Sequence, residues 1–375
     1  MRKSLSGLAA VGLVLALAAC GSDSESTGVK ANMGATVGIA MPTKTSARWL
    51  NDGEQMVAQF ESMGYKTDLK YGEDKAETQV AQVEKMIADG DKLLVIAAVD
   101  GGAMVDVLAE AAKKNIKVIA YDRLLMKTRD VNYQATFDNR RVGRMQGQLL
   151  LDRLGISSGD EGPFNIEMFA GAATDANAKS FYDGSMDVLK KYLDNGTLVV
   201  PSKKTAFLDI DTDKYSGALA YERMNQVLAQ FYENKKLDAV LSPYDGMSRG
   251  IIISLTENGF TRAGAKKMPV ISGQDAELDS VKDVKDGYQT ATIYKDTREL
   301  AKVAVQMGNA LLTGQKPQVN DTTTYDNAVK KVPTYLLYPV QVDAKNYQKL
   351  LLDGGYYTKK QLAGKSRDVK DYSGA

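Results

Sequence analysis

"TVGIAMPTKTSARWLNDGEQMVAQFESM", residues 36–63, joins an apolar strand to an amphipathic helix. Residues 37–41 are apolar without alternation, which predicts a strand covered on both faces of a sheet. In the helical stretch that follows, Trp49, Met56 and Phe60 fall on one face. The same strand-then-helix unit recurs along the chain. Regular β–α alternation predicts doubly wound, mainly parallel sheets.

The repeats of this unit are too numerous for one sheet and predict two similar α/β lobes. Further strands are predicted at "KTDLKY", "LLVIAA", "KVIAYD", "YQATFD", "FNIEMFA", "LDAVLS", "PVISG" and "QTATIY". Further helices are predicted over 76–89, 101–114, 139–154, 175–192, 215–232, 245–258 and 295–313. The polar C-terminal residues 356–375 are predicted to fray.

The N-terminus predicts export from the cytoplasm. Residues 1–19 carry two basic side chains and then a short apolar run, a pattern typical of a secretory signal peptide. "LAAC" resembles the lipobox of bacterial lipoproteins, which predicts that Cys20 is lipidated and anchors the protein to the bacterial cell membrane on its extracytoplasmic side. An ordinary signal peptide is the alternative. Residues 20–35 are small and polar, which favours a flexible tether.

Composition excludes several classes of chemistry. The chain has one cysteine and no histidine, which excludes Cys–His and Ser–His nucleophilic pairs and the usual zinc sites. Its 48 Lys and Arg residues nearly balance 47 Asp and Glu residues, so no nucleic-acid partner is indicated. No glycine-rich nucleotide-binding motif follows a strand, and no cofactor is expected.

"DIDTDKYSGALA", residues 209–220, begins like a calcium-binding loop. Lys214 stands where the sharp turn requires glycine, and Ala220 stands where a bidentate glutamate is required. The acidic residues are better interpreted as the entry to a helix, because negative charge is favourable at a helix N-terminus. The sequence therefore predicts no metal site.

Polar side chains follow most of the predicted strands. The carboxyl ends of strands in open α/β sheets are where ligands bind. These positions carry Lys44, Arg48, Trp49, Asp100, Asp122, Arg123, Asn139, Asp175, Asn177, Asp245, Asp275 and Lys295. Capping of the following helix is an equally good interpretation of Asp100 and Asp245. The spacing of Trp49 with Met56 also fits core packing.

The set as a whole suits a sugar. Carboxylates accept hydrogen bonds from hydroxyl groups, whereas Arg, Lys and Asn donate to hydroxyl and ring oxygens. An aromatic ring packs on the C–H face of a pyranose and excludes water.

Seven motifs resemble those of the periplasmic sugar-binding proteins of ABC importers, in the xylose-binding and multiple-monosaccharide-binding branch. They are "VGIAMPTKTSARW", "VIAYDRL", "ATFDN", "DAVLSPYDG", "ISGQDAE", "IYKDTRELAK" and "LLDGGYY", spread over about residues 36–358. The resemblance implies the type I bilobal fold, with two Rossmann-like lobes and a three-segment hinge. The crossings are expected near 139, 291 and 330. Lobe one would hold 36–139 plus 292–329, and lobe two 140–291 plus 330–375.

The resemblance also implies which residues bind. Contacts to the sugar are implied for Lys44, Arg48, Asp122, Arg123, Asp175, Asn177, Asp245, Asp275 and Lys295. It implies that Trp49 stacks on the sugar. "DANAK" departs from the family's "DNNAK" at Ala176. A second stacking tryptophan of the family is missing; Tyr215 lies nearest to its place, and Phe207 is another candidate.

The function predicted is that of a lipid-anchored solute-binding protein, monomeric and not an enzyme. It would deliver a monosaccharide to the subunits of an ABC permease. A sugar receptor that feeds a sensor or chemotaxis system is an alternative. A carboxylate-only glycosidase is a weaker one. A sugar-responsive repressor would need a helix-turn-helix where the signal sequence stands.

Overall fold

The computed structural model describes residues 34–364 and residue 366. The predicted signal peptide, Cys20 and most of the predicted tether lie outside the described residues. In the described part of the chain, no helix is both long and apolar enough to cross a bilayer. These residues form two α/β lobes with parallel sheets and flanking helices, which confirms the predicted fold class.

The first lobe is built on a six-stranded sheet in which every neighbouring pair is parallel. Its strands are β1 (Thr36–Met41), β2 (Lys66–Tyr71), β3 (Leu93–Ile96), β4 (Lys117–Tyr121), β5 (Tyr133–Phe137) and β13 (Thr334–Leu337). Their spatial order is β13-β5-β4-β3-β1-β2. The helices of this lobe are α1 (Ala47–Ser62), α2 (Ala76–Asp89), α3 (Val105–Lys113) and α10 (Thr297–Leu312).

Both faces of this sheet are covered, as the unbroken apolar runs predict. Ile39 and Met41 of β1 pack in a core that includes α1 and α10. Ala40, between them, points to a second core that includes α2 and α3. Apolar side chains are therefore needed at successive positions, because alternate residues of a strand enter opposite faces.

The second lobe contains a four-stranded parallel sheet in the order β11-β8-β6-β7. Its strands are β6 (Phe164–Met168), β7 (Leu198–Val199), β8 (Ala239–Leu241) and β11 (Val270–Ile271). An antiparallel pair adjoins it, formed by β12 (Ala291–Tyr294) and β14 (Val340–Asp343). A short parallel pair, β9 (Phe260–Thr261) and β10 (Lys266–Lys267), lies apart.

The helices of the second lobe are α4 (Asn139–Arg153), α5 (Ala176–Asp194), α6 (Phe207–Ile210), α7 (Gly217–Phe231), α8 (Asp245–Glu257) and α9 (Leu278–Asp286). Most match the predicted helices closely. The helix α9 was not predicted, because its sequence "LDSVKDVKD" offers few apolar positions. Residues 213–215 form a 3₁₀ turn that leads into α7, in place of the rejected calcium loop.

Helices α4 and α5 approach each other through two glycines. A Cβ added at Gly143 of α4 would overlap the backbone carbonyl of Phe181. A Cβ added at Gly184 of α5 would overlap the carbonyl of Arg140. The two helix axes lie closer together than larger side chains would allow.

The chain passes between the lobes three times. It leaves the first sheet at the end of β5 and enters the second lobe with α4. It returns after β12, since α10 packs in the core of the first lobe. It leaves the first sheet again after β13 and rejoins the second lobe with β14.

Two crossings lie a few residues further along the chain than the sequence indicates. The return expected near 291 comes after Tyr294, because Ile293 bridges Gln274 and β12 pairs along its length with β14. The crossing expected near 330 comes after Leu337, because β13 is hydrogen bonded to β5. Residues 292–294 therefore belong to the second lobe and 334–337 to the first. The apolar run "TYLL" of β13 is too short to stand out in the sequence.

The C-terminal segment does not fray over its first part. Leu351 and Leu362 are buried in a small core together with Tyr294. The ring of Tyr356 meets Tyr294 edge-on at 4.9 Å, and the Tyr357 hydroxyl donates to the Ala276 carbonyl at 2.9 Å. Residues 356–364 are thus held against the second lobe beside the second crossing.

Candidate functional site

Most of the predicted binding residues converge where the carboxyl ends of the strands of both lobes face each other. Arg48 lies in the first turn of α1, which follows β1. Asp122 follows β4 directly, and Lys295 follows β12 directly. Asn139 begins α4, and Asp175 precedes α5. The β–α connections of the fold therefore bring these separate segments to one place.

Arg48 is the centre of the cluster and is only 8% exposed. Its Nη2 donates to Asp122 Oδ2, and its Nη1 lies 3.6 Å from Asp275 Oδ2 of the second lobe. Its Nε lies 3.4 Å from Asp52 Oδ2, one helical turn further along α1. Burial opposes the charge, but these three carboxylates raise the Arg48 pKa well above its usual range.

Asp122 stays ionised although it is buried. Burial raises its pKa, but Arg48, Lys295 and Arg123 outweigh burial and lower the pKa to about 2. Asn177 of the second lobe donates to both the backbone oxygen and Oδ1 of Asp122 at 3.2 Å. The backbone of Asp122 is left-handed, with φ of 59°. Such a conformation is costly outside glycine and is held by the surrounding contacts.

The amides of Asn139 and Asn177 form the next part of the site. Asn139 Nδ2 donates to Asn177 Oδ1 at 2.8 Å. Both side chains are buried at the starts of α4 and α5, the helix pair joined through glycines. The pair is therefore fixed as one unit against Asp122.

Asp175 combines capping with a second role. Its Oδ1 accepts from the Asn177 backbone N–H at 2.9 Å, which caps α5. Its Oδ2 accepts from the Tyr215 hydroxyl at 2.8 Å and lies 3.6 Å from Arg123 Nε. This last contact joins the two lobes, since Arg123 follows β4. Burial beside Asp175 raises the Tyr215 pKa well above its usual range, so the phenol remains a donor.

Lys295 is 1% exposed and pairs with Asp275 at 2.9 Å between Nζ and Oδ1. Its Nζ lies 5.8 Å from the ring centre of Phe137 and 5.6 Å from that of Phe181. Asp275 has a φ of 90°, a left-handed backbone that turns its side chain between two cations, Lys295 and Arg48.

Trp49 lies between the core of the first lobe and the polar cluster. Its ring is 6% exposed and packs in the core of the first lobe. The Arg48 guanidinium lies 4.3 Å from the ring centre and that of Arg123 lies 5.3 Å from it. Cation–π attraction therefore ties this ring to two charged members of the site.

Three predicted contacts lie elsewhere. Lys44 is exposed, 3.7 Å from Glu73, and Asp100 accepts the Gly102 N–H at 2.7 Å in a tight turn. Among the described residues, no hydrogen bond or ion pair joins either one to the cluster. Asp245 is fully buried in the second lobe. It accepts from the Glu277 N–H at 2.9 Å, Gln289 Nε2 at 2.8 Å and Thr292 Oγ1 at 2.9 Å, all within the second lobe.

Phe207 and Tyr215, the two candidates for the second stacking ring, lie in different surroundings. Phe207 packs against Tyr182, 5.6 Å between ring centres, on the body of the second lobe. Tyr215 instead contacts Asp175 of the cluster. Its ring also meets Tyr244 edge-on at 5.9 Å.

Sequence reasoning missed three polar residues of this region: Asp52, Tyr244 and Glu277. Asp52 lies four residues after Arg48, the spacing that places two side chains on one helical face. The Tyr244 hydroxyl donates to Glu277 Oε1. Burial, aided by the Asp275 charge, raises the Glu277 pKa to about 7. Both residues stand inside motifs already quoted, "SPYDG" and "GQDAE".

The arrangement offers hydrogen-bond donors and acceptors from both lobes. Among residues 34–364 and 366, no group of three acidic, cysteine or histidine side chains is placed to hold a metal ion. The carboxylates, cations and amides are satisfied largely by one another. A polyhydroxylated ligand can exchange with these partners, because each hydroxyl both donates and accepts.

The comparisons with known proteins agree with this geometry. Residues 37–316 match the family model of the periplasmic binding protein domain. The multiple sugar-binding periplasmic receptor ChvE of Rhizobium radiobacter is 53% identical over 327 residues, 87% of this chain and 92% of that protein. The D-xylose-binding periplasmic protein of Escherichia coli K12 is 33% identical over 326 residues, again 87% of this chain and 92% of that protein.

A solved structure is also similar. The ABC transporter solute binding protein of Clostridium phytofermentans, with bound β-D-glucose, superposes with a TM-score of 0.84 at 46% identity. The match covers 87% of this chain and 99% of that chain. These relatives are binding proteins, so this chain is a binding protein rather than an enzyme. It belongs to the periplasmic binding protein family, in the branch of the D-xylose-binding and multiple-sugar-binding proteins.

Proposed function

We propose that this protein captures a monosaccharide between its two lobes, outside the cytoplasm. The observation that carries the proposal is the buried polar cluster that spans the lobes. Arg48 and Arg123 of the first lobe approach Asp275 and Asp175 of the second lobe, each at 3.6 Å. Such a concentration of buried charge is costly unless it is paired or serves a ligand.

A pyranose or furanose matches the chemistry of the cluster. Asp122, Asp175 and Asp275 supply acceptors for hydroxyl protons, and Lys295 and the arginines supply donors. Apolar contact would come from the rings of Trp49 and Tyr215, which stand on different lobes. The bound β-D-glucose of the Clostridium phytofermentans protein supports a sugar of this size.

Binding would act by population shift. A sugar that contacts both lobes favours the closed arrangement by as much as its affinity for that arrangement exceeds its affinity for the open one. The ion pairs across the cleft would be exchanged for hydrogen bonds to hydroxyl groups. Specificity then depends on whether each carboxylate and cation finds a hydroxyl, because an unpaired buried partner costs about 1–3 kcal/mol.

Isothermal titration calorimetry with D-glucose, D-xylose, D-galactose and L-arabinose tests the proposal. A true ligand present at about a hundred times its Kd adds about 2.7 kcal/mol to the free energy of unfolding. Arg48→Gln should abolish binding at millimolar sugar. Arg140→Gln, which removes an exposed arginine paired with Asp187, should leave binding unchanged. Absence of binding and of thermal stabilisation by every monosaccharide in a broader screen would contradict the proposal.

We propose further that Cys20 carries a lipid anchor and that the loaded protein, as a monomer, delivers its sugar to an ABC permease. The order of the N-terminal signals supports the first part, and the family supports the second. Metabolic labelling with an alkyne fatty acid should mark the wild-type protein but not Cys20→Ala. Deletion of the gene should abolish uptake of the labelled sugar. Intact uptake with a lost transcriptional or chemotactic response would favour the sensor alternative.

A further inference from the structure

Asp52 occupies an unusual place for a carboxylate. It is 0% exposed in α1, and its Oδ2 lies 3.4 Å from Arg48 Nε. The hydroxyls of Tyr121 and Thr297 face the carboxylate. Within the described part of the chain, however, neither Asp52 Oδ1 nor the Tyr121 hydroxyl has a hydrogen-bond partner of good geometry. A buried acceptor left half-satisfied is uncommon and suggests a role beyond packing.

The position of Arg48 indicates what Asp52 can do. The guanidinium has donors on three sides, and two of them face the cleft carboxylates Asp122 and Asp275. The remaining side, at Nε, faces Asp52. Asp52 lies one helical turn further from the start of α1 than Arg48 does. It can therefore hold Arg48 without touching a ligand in the cleft.

We propose that Asp52 is a positioning residue for sugar binding: its ionised form fixes Arg48 in the cleft, so that binding is coupled to loss of a proton from Asp52. This inference rests on the proposed function. Sugar hydroxyls that donate to Asp122 and Asp275 share those carboxylates with Arg48. The guanidinium charge then depends more on Asp52, which favours the ionised form of that carboxyl.

The surroundings of Asp52 leave it as the group that titrates. Burial raises the Asp52 pKa to about 7, with Arg48 opposing this shift. The other titratable groups that interact with it are Arg48, Tyr71, Tyr121, Asp122 and Tyr356. The tyrosine pKa values are all raised, that of Arg48 is raised, and that of Asp122 is lowered to about 2. None of these five changes its charge between pH 6 and 8.

The coupling has a definite sign. If binding favours ionised Asp52, protons are released on binding and the affinity rises with pH. The Kd should be about three- to tenfold weaker at pH 6 than at pH 8. Glu277 has a pKa in the same range and lies near Asp275, so the test must separate the two acids.

The experiment is calorimetric titration of the wild-type protein with D-glucose and D-xylose at pH 7. Phosphate and Tris buffers are compared, since their ionisation enthalpies differ and reveal proton release. We expect net release in the wild type. Asp52→Asn, which keeps the shape but cannot ionise, should lose that release and flatten the pH profile of Kd. Glu277→Gln should still release the proton that comes from Asp52 when the sugar binds.

Asp91→Asn is the matched control. Asp91 is 3% exposed, and burial raises its pKa to about 6. It precedes β3 and so lies at the amino ends of the strands, away from the cleft at their carboxyl ends. The Asp91→Asn variant should release as many protons on sugar binding as the wild-type protein does. Sugar binding without proton release in the wild type overturns the inference, whether or not a variant folds. So does unchanged release in Asp52→Asn. Failure of every sugar to bind at any pH would instead overturn the proposed function.

Discussion

Replacing Tyr215 by phenylalanine removes one hydroxyl and keeps the ring. That hydroxyl donates to Asp175 Oδ2 at 2.8 Å, a hydrogen bond to a charged group in a largely enclosed site. Bonds of this kind contribute about 1.5–3 kcal/mol. Asp175 would keep the Asn177 N–H and the approach of Arg123, which places the expected loss near the lower end. We therefore expect the free energy of unfolding to fall by about 1.5 kcal/mol.

Urea denaturation of the sugar-free protein measures this loss, and calorimetry measures sugar affinity in parallel. Affinity should fall less than about tenfold, which corresponds to 1.4 kcal/mol, because the ring that would contact the sugar remains. Tyr221→Phe is the matched control, since its hydroxyl donates to Glu257 at 2.7 Å on the exposed surface. It should change stability by less than about 0.5 kcal/mol. Equal effects of the two variants would refute the reasoning that Tyr215 holds Asp175.

Three further outcomes are expected. Lys295→Met leaves Asp275 without its nearest cation and should cost about 3–5 kcal/mol of stability, measured by denaturation, because one member of a buried pair is removed. Trp49→Leu should lower both sugar affinity, by calorimetry, and the Tm of the sugar-free protein, because the ring serves core and site together; an unchanged Tm would place it in the site alone. The Tm of the sugar-free protein should fall as the pH rises from 5.5 to 8. Asp52 and Glu277 each have a folded-state pKa raised to about 7, so the stability that their protons confer is lost as the pH rises through that value; a Tm that rises with pH would contradict this.

The residues at the carboxyl ends of the strands could be picked out from the sequence, because local apolar patterns show where the strands end. Asp122 and Lys295 stand directly after apolar strands, Arg48 stands in the first turn of the helix that follows one, and parallel strands end at a common edge. The surroundings of Asp245 do not follow from the same pattern. Asp245 too follows a strand, but its side chain turns into the lobe and serves Gln289 and Thr292, partners distant in sequence.

The second crossing and the C-terminal segment depend on long-range pairing that no local pattern reports. β12 is placed by β14, some fifty residues on, and by the bridge between Ile293 and Gln274. The contact between the rings of Tyr356 and Tyr294 likewise joins residues that are far apart in the sequence. The composition of residues 356–364 is that of a loose tail, and only the partner surface makes it ordered.

The glycine contact between α4 and α5 has a consequence for altering the ligand preference of this protein. Asn139 and Asn177 are carried by two helices that cannot slide past one another, because Gly143 and Gly184 leave no clearance. Mutational libraries aimed at a different sugar would find little freedom in this pair. Tyr215 stands on a separate turn of the same lobe, outside the contact between α4 and α5, so changes to its ring leave Gly143 and Gly184 in place and act on the site through Asp175. The second lobe thus presents the cleft with a rigid pair of amides and, beside it, a ring that tolerates substitution more readily.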